Sequence, residues 1–142
     1  MDDSEAVTPP DPGGGEADGR RRARARAMEK MEEVCGFSVD PDTVEGSYVA
    51  LMVDQLFGEV WTRPALDLRD RRLLTLGALA ALGQPQLMEI QYRSALDRGE
   101  LTADQVRESV IHLAHYVGWP RSTGVNEAAE KVIADRPAMG QP

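Results

Sequence analysis

A few residues in this chain have the chemistry to act on a small molecule, and they fall in three groups. Gln91 stands in the middle of an otherwise apolar stripe, LMEIQYRSA, shared with Leu87, Ile90, Ser94 and Ala95. A buried amide must be hydrogen-bonded or it costs a few kcal/mol. Gln91 is therefore either satisfied by backbone or a neighbouring subunit, or it orients the carbonyl or carboxylate of a ligand. Further on, Ser109, His112 and Tyr116 fall along one edge of a second helical stripe. His112 can move protons near neutral pH, which Gln91 cannot. The alternative is a histidine hydrogen-bonded inside an oligomer. Trp61, Arg63 and Arg72 form another set. A planar guanidinium fork suits a carboxylate substrate, although the same arginines can simply pair with Asp67 and Asp70 at a helix entry. His115 points away from His112 on the wheel, so the two histidines do not form a metal pair, and no metal site is expected.

These residues need a scaffold, and the periodicity supplies helices only. Met1 to Gly19 is acidic, rich in Pro and Gly, and without apolar rhythm, so it reads as a disordered tail. Arg20 to Val34 reads as a helix that opens on RRRARARA. That basic run is either a solvated helix offset by the acidic tail or an arm for RNA or anionic lipid. Ser47 can cap a helix over Tyr48 to Val60, with Tyr48, Leu51, Met52, Leu56 and Val60 as its apolar face. Pro64 breaks it.

Asp67 is placed to cap the third helix, whose stretch LLTLGALAAL from Leu73 to Leu82 is apolar nearly all round and predicts a central buried helix. Gly83 ends it, and Pro85 suits the first turn of the fourth, which closes at Gly99. Thr102 and Gln105 have the spacing of a capping box for the fifth helix, which ends at Gly118. A sixth runs from about Ser122 to Ala134, with Trp119-Pro120 as the corner before it and Trp119 and Tyr92 as packing residues. The expectation is an all-α domain of about six helices over residues 20–136, followed by a short flexible tail at 137–142.

Composition narrows the function. The chain has 142 residues and a formal net charge of -8, which repels phosphate backbones and argues against nucleic acid as a partner. Cys35 is the single cysteine, so the chain can hold neither an internal disulfide nor a CxxC pair. No apolar run approaches the ~20 residues of a membrane span, and the acidic start lacks the order of a signal peptide. A cytoplasmic protein with no membrane partner is expected.

The segment WTRPALDLRDRRLLTLGALAALGQPQLMEIQYRSALDRGELTADQVRESVIHLAHYVGWP resembles the carboxymuconolactone decarboxylase family, part of a wider group that includes the alkylhydroperoxidase D proteins. The resemblance runs from about Gly58 to Ala134. It rests on WTRP followed by LDLRDRRLLTL, then ALG, then Arg93 to Leu96 closing at Gly99, then HLAHYVGWP. It implies a compact helical subunit that assembles into trimers or hexamers around its central helices. Decarboxylase members act, without metal or organic cofactor, on a lactone dicarboxylic acid in aromatic-compound degradation.

The peroxidase members use a Glu, a CxxC pair and a His. Those positions fall here at Arg72, at Gln84 and Leu87, and at Gln91, so thiol-based peroxide reduction is not expected. Decarboxylase members carry a His where this chain has Gln91. The resulting expectation is a cofactor-independent enzyme of decarboxylase or lyase type on a small carboxylate or lactone. His112 and Gln91 would be its catalytic residues, and Arg63, Arg72, Tyr116 and Trp61 would bind substrate. The alternative is a non-catalytic oligomeric binding or scaffold protein of the same fold.

Overall fold

A computed structural model describes residues 12–43 and 47–136. Helix α1 spans Pro12–Cys35. A single 3₁₀ turn, Pro41–Thr43, leads to the short helix α2, Ser47–Leu51, which runs on into a π-helical segment, Met52–Val60. Then come α3 Leu68–Leu82, α4 Pro85–Asp97, α5 Ala103–Val117 and α6 Trp119–Ala134. Among the described residues there is no strand, so the all-α expectation holds. No described helix is long and apolar enough to cross a membrane.

The local punctuation acts as its chemistry requires. Asp67 accepts from the Asp70 amide at 2.8 Å and starts α3. Gly83 ends that helix in the left-handed region at φ 67°, where a side chain would be strained. Pro85 takes the first turn of α4. Thr102 and Gln105 close a reciprocal capping box at the head of α5, through bonds of 3.0 and 3.1 Å.

Two apolar clusters form. The larger joins α3 to α6 and centres on Leu76, Met88, Tyr92, Leu96, Val106 and Val125. The smaller packs Ala27, Met31 and Val34 of α1 against Val53 and Phe57 of the π-helical segment and Trp61 just after it.

Four expectations need correction. Helix α1 begins at Pro12 rather than Arg20, so residues 12–19 are helical; residues 1–11 and 137–142 of the expected tails lie outside the described residues. The stripe Tyr48, Leu51, Leu56, Val60 is exposed, and Val53, Phe57 and Trp61 face inward instead. The cause is the π-helical step: the Trp61 amide donates to Leu56 O, five residues back, at 2.9 Å, so residues about four apart share the buried face. Within the subunit α3 buries only Arg72, Leu76 and Ala80, while Leu74 and Leu82 are 64% and 70% exposed. Trp119 does not fill a corner: α6 starts there, Trp119 and Pro120 occupy its first turn, and the indole is 68% exposed.

Candidate functional site

Arg72 is fully buried, and its guanidinium is surrounded by acceptors. Nε donates to Glu100 Oε2 at 2.6 Å and Nη2 to Glu100 Oε1 at 3.2 Å. Nη1 donates to Val34 O and to Gln91 Oε1, both at 2.7 Å. Ser94 Oγ lies 3.4 Å from Nη2 and itself donates to Glu33 O. A buried charge is tolerated when it is paired and its donors are satisfied, and this one is. One arginine therefore ties α3 to α4, to the end of α1 and to the loop before α5.

The same contact fixes Gln91. A guanidinium has only donors, so the amide atom facing Arg72 must be the oxygen. Gln91 is 8% exposed, and its NH2 group turns away from Arg72. Cys35 is half-buried close to the same arginine. Burial pushes its thiol pKa up, with the Arg72 charge partly opposing that shift.

On another side of α3 lies a groove of about 700 Å³ between α3 and α5. Its apolar wall is leucine: Leu66, Leu73, Leu74, Leu76, Leu101 and Leu113. Arg69, Asp70, Gln105, Glu108, Ser109 and His112 add polar groups. Arg69 Nε donates to Glu100 O at 3.2 Å, which anchors the base of its guanidinium. His112 is exposed in the wall, and the Tyr116 ring lies against it with centroids 5.0 Å apart.

Of the residues singled out from sequence, the groove holds His112 and Ser109. Tyr116 touches the imidazole but is itself 77% exposed and does not line the groove. Gln91 and Arg72 lie together in the buried cluster, and neither lines this groove. Trp61 packs in the smaller apolar cluster. Arg63 is exposed in the loop before α3, where its carbonyl accepts from Arg71 Nη2 at 2.7 Å. The reading from sequence did not assign Arg69, Asp70 and Glu108 to a site. Arg69, Leu73 and Leu76 recur at four and three residues, the spacing of one helical face, and that was the signal available. Among the described residues no group of three or more His, Cys, Asp or Glu side chains is placed to hold a metal ion.

Residues 47–131, more than half the chain, match the carboxymuconolactone decarboxylase family. Similar proteins include a 4-carboxymuconolactone decarboxylase of Acinetobacter baylyi, 35% identical over 79 residues, which are 56% of this chain and 58% of that protein. A nitrosuccinic acid decarboxylase of Metarhizium robertsii is 36% identical over 93 residues, 64% of this chain and 63% of that protein. An uncharacterised 15.0 kDa protein of Paracoccus denitrificans is 33% identical over 87 residues, 59% of this chain and 63% of that protein. The matched stretches thus span less than two thirds of each relative. The all-helical fold and the family match together place this chain in the carboxymuconolactone decarboxylase family.

Proposed function

We propose that the chain is a cofactor-independent lyase of decarboxylase type, acting on a small carboxylate or lactone in the α3–α5 groove. The observation that carries this reading is His112, an imidazole in the wall of a largely leucine-lined groove that also holds the cation Arg69. The names of two relatives, each a decarboxylase of a small carboxylic acid, support the reaction type.

The chemistry needs little more. Loss of CO2 breaks the bond from the carboxylate carbon to its neighbour and leaves the electron pair on that neighbour. A conjugated carbonyl takes up the pair, and Arg69 meets the negative charge that reaches its oxygen. The carbon then needs a proton, which His112 gives and recovers from water. The leucine wall sets the substrate against apolar surface, which strengthens the cation's effect. Arg63 and Arg72 do not reach the groove, so the cationic role passes to Arg69. Gln91 acts indirectly in this reading, as a partner that holds Arg72. The reading also has the chain assembling as a homo-oligomer, a trimer or hexamer. The exposure of Leu74, Leu82, Tyr116 and Trp119, each above 60%, supports that assembly.

The test is CO2 release from 4-carboxymuconolactone, nitrosuccinate and related lactones and acids. Turnover is expected with at least one. His112→Gln should lower kcat by about 10²–10⁴-fold, the usual value of a positioned proton donor. Arg69→Met should lower kcat with it.

A second reading, a non-catalytic binding or scaffold protein, is favoured by the Arg72–Gln91–Glu100 cluster. That cluster closes, with buried hydrogen bonds, the position where the resemblance implies a functional His. Absence of turnover across the panel would favour this reading over the first.

A further inference from the structure

The reaction proposed above uses two side chains of the groove, yet half of the residues that line it are leucines. Leu76 and Leu101 close its floor at 1% and 3% exposure. Leu113 joins them where α5 meets α3: a Cβ at Gly77 would stand 3.9 Å from Leu113 Cδ2. Leu66 and Leu73 stand on the rim, 40% and 36% exposed. A cleft of about 700 Å³ lies in the range that takes a drug-sized ligand. A succinate-sized acid paired with Arg69 would leave much of that apolar wall in water.

Leu66 belongs to no helix, and its place in the wall is fixed from α3. Arg71 Nε donates to Leu66 O at 3.2 Å, and Arg71 Nη2 donates to Arg63 O at 2.7 Å. One planar guanidinium thereby ties down two carbonyls of the loop 61–67. Arg71 itself does not line the groove.

Charge says what can cover these leucines. Arg69, Asp70, Glu108 and His112 stand among them, all exposed. A second copy of the chain seated on the groove would have to strip water from all four, and charged residues are depleted at the core of protein interfaces. A small acid instead pairs its carboxylate with Arg69, covers leucine with its apolar part and leaves Asp70 and Glu108 in water.

We propose that the ligand of the α3–α5 groove is a carboxylate or lactone carrying an apolar arm, alkyl or aryl, that lies on Leu66 and Leu73. Leu73 is then a specificity-determining residue, and Arg71 is the positioning residue that holds Leu66. The inference rests on the groove being the ligand site, as in the reading above, and adds an arm to the acid or lactone head of that reading. The head itself is unchanged, with one carboxylate or two.

The test is a series with one head, the dicarboxylate of succinate, and a growing arm: succinate, ethylsuccinate, butylsuccinate and phenylsuccinate. Each is titrated into the full chain and followed through the His112 ring resonance. The chain has two histidines, and His112→Gln identifies the peak. Each added methylene should tighten binding about two- to fourfold, the value of a methylene half to fully buried, until the wall is covered. Butylsuccinate should therefore bind at least about tenfold more tightly than succinate.

Leu73→Ala changes a residue on the rim, so it reports even if a loop variant fails to fold. It should cut the advantage of butylsuccinate several-fold and leave the affinity of succinate unchanged. Arg71→Met should do the same through Leu66, and Arg71→Lys, which keeps a donor for the loop carbonyls, should restore part of the advantage. A purely structural role would lower both affinities together and remove Arg71 from the proposal. The proposal is overturned if butylsuccinate binds no more tightly than succinate, or if Leu73→Ala keeps the full advantage. It is also overturned if no probe moves the His112 resonance, as when a second copy of the chain fills the groove. Turnover separates this inference from the reading it rests on. A preference for the arm without turnover of any lactone or acid keeps the inference and removes the enzyme. Turnover of small acids with no gain from the arm does the reverse.

Discussion

The two apolar clusters of this molecule are built alike, and the seam between them is built differently. In α3–α6, Leu76, Met88, Tyr92 and Val106 interlock with almost no exposure. In the smaller unit, Ala27, Met31 and Val34 do the same against Val53 and Phe57. Where the units meet, Leu68 adds an apolar contact, and the remaining named contacts are polar. Arg72 donates to Val34 O, Ser94 to Glu33 O, and Arg98 to the Glu33 carboxylate at 3.1 Å. Apolar burial is non-directional and holds each unit together. Hydrogen bonds are directional, and they set how one unit sits on the other.

Breaking that seam should have the largest effect. Arg72→Met keeps much of the volume but strands Val34 O and the Gln91 amide oxygen, and it leaves the Glu100 carboxylate, which is 11% exposed, with Arg98 as its remaining cation. Removing one partner of a buried pair costs about 3–5 kcal/mol. The urea midpoint should fall accordingly. Adding Glu100→Gln should recover part of the loss, because the carboxylate that has lost its buried partner goes with it. Equal midpoints for Arg72→Met and the parent would show that the seam is not polar in the energetic sense.

This seam was also the part least legible in the sequence. Asp67, Gly83, Pro85, Thr102 with Gln105, and Gly118 were readable because each acts on backbone a few residues away. Arg72 looked like one more charge in a helix's first turn. Its partners Glu100 and Val34 lie 28 and 38 residues off in sequence, and no local pattern marks them. The π-helical step was hidden for a related reason: it changes which face is buried without changing the residues. His112 was legible as the polar edge of an apolar stripe. Its groove companions Arg69, Asp70 and Glu108 became companions only when α3 and α5 packed side by side.

A wedge inside the smaller unit should cost less. Gly58 lies where the π-helical segment meets α1, and a Cβ there would stand 3.2 Å from Ala27 Cβ. Gly58→Val should therefore push the two apart and cost about 1–3 kcal/mol, the range for overpacking. Ala27→Gly removes the opposing methyl, so the valine should cost less in that background than in the parent. Hydrogen exchange should speed up in α1 and the π-helical segment and stay unchanged in α5 and α6. Faster exchange throughout would mean that the two units open as one.

The smallest effect belongs to the larger unit and is read through pH. Burial raises the pKa of Tyr92 above its ordinary 10.0. Below pH 10 the tyrosine is protonated in both the folded and the unfolded chain, so it adds no pH dependence. Above that, the unfolded chain loses its proton first, and the folded state loses stability as pH rises towards the native value. Tyr92→Phe removes that slope. Near neutral pH it should cost about 1 kcal/mol for the lost hydrogen bond, since Ser109 keeps Val106 O as its acceptor. Denaturant midpoints of the two proteins should therefore differ most near pH 7 and converge as pH climbs past 10. A constant gap would place the ionisation of Tyr92 at the same pH in both states, and burial would then not govern it.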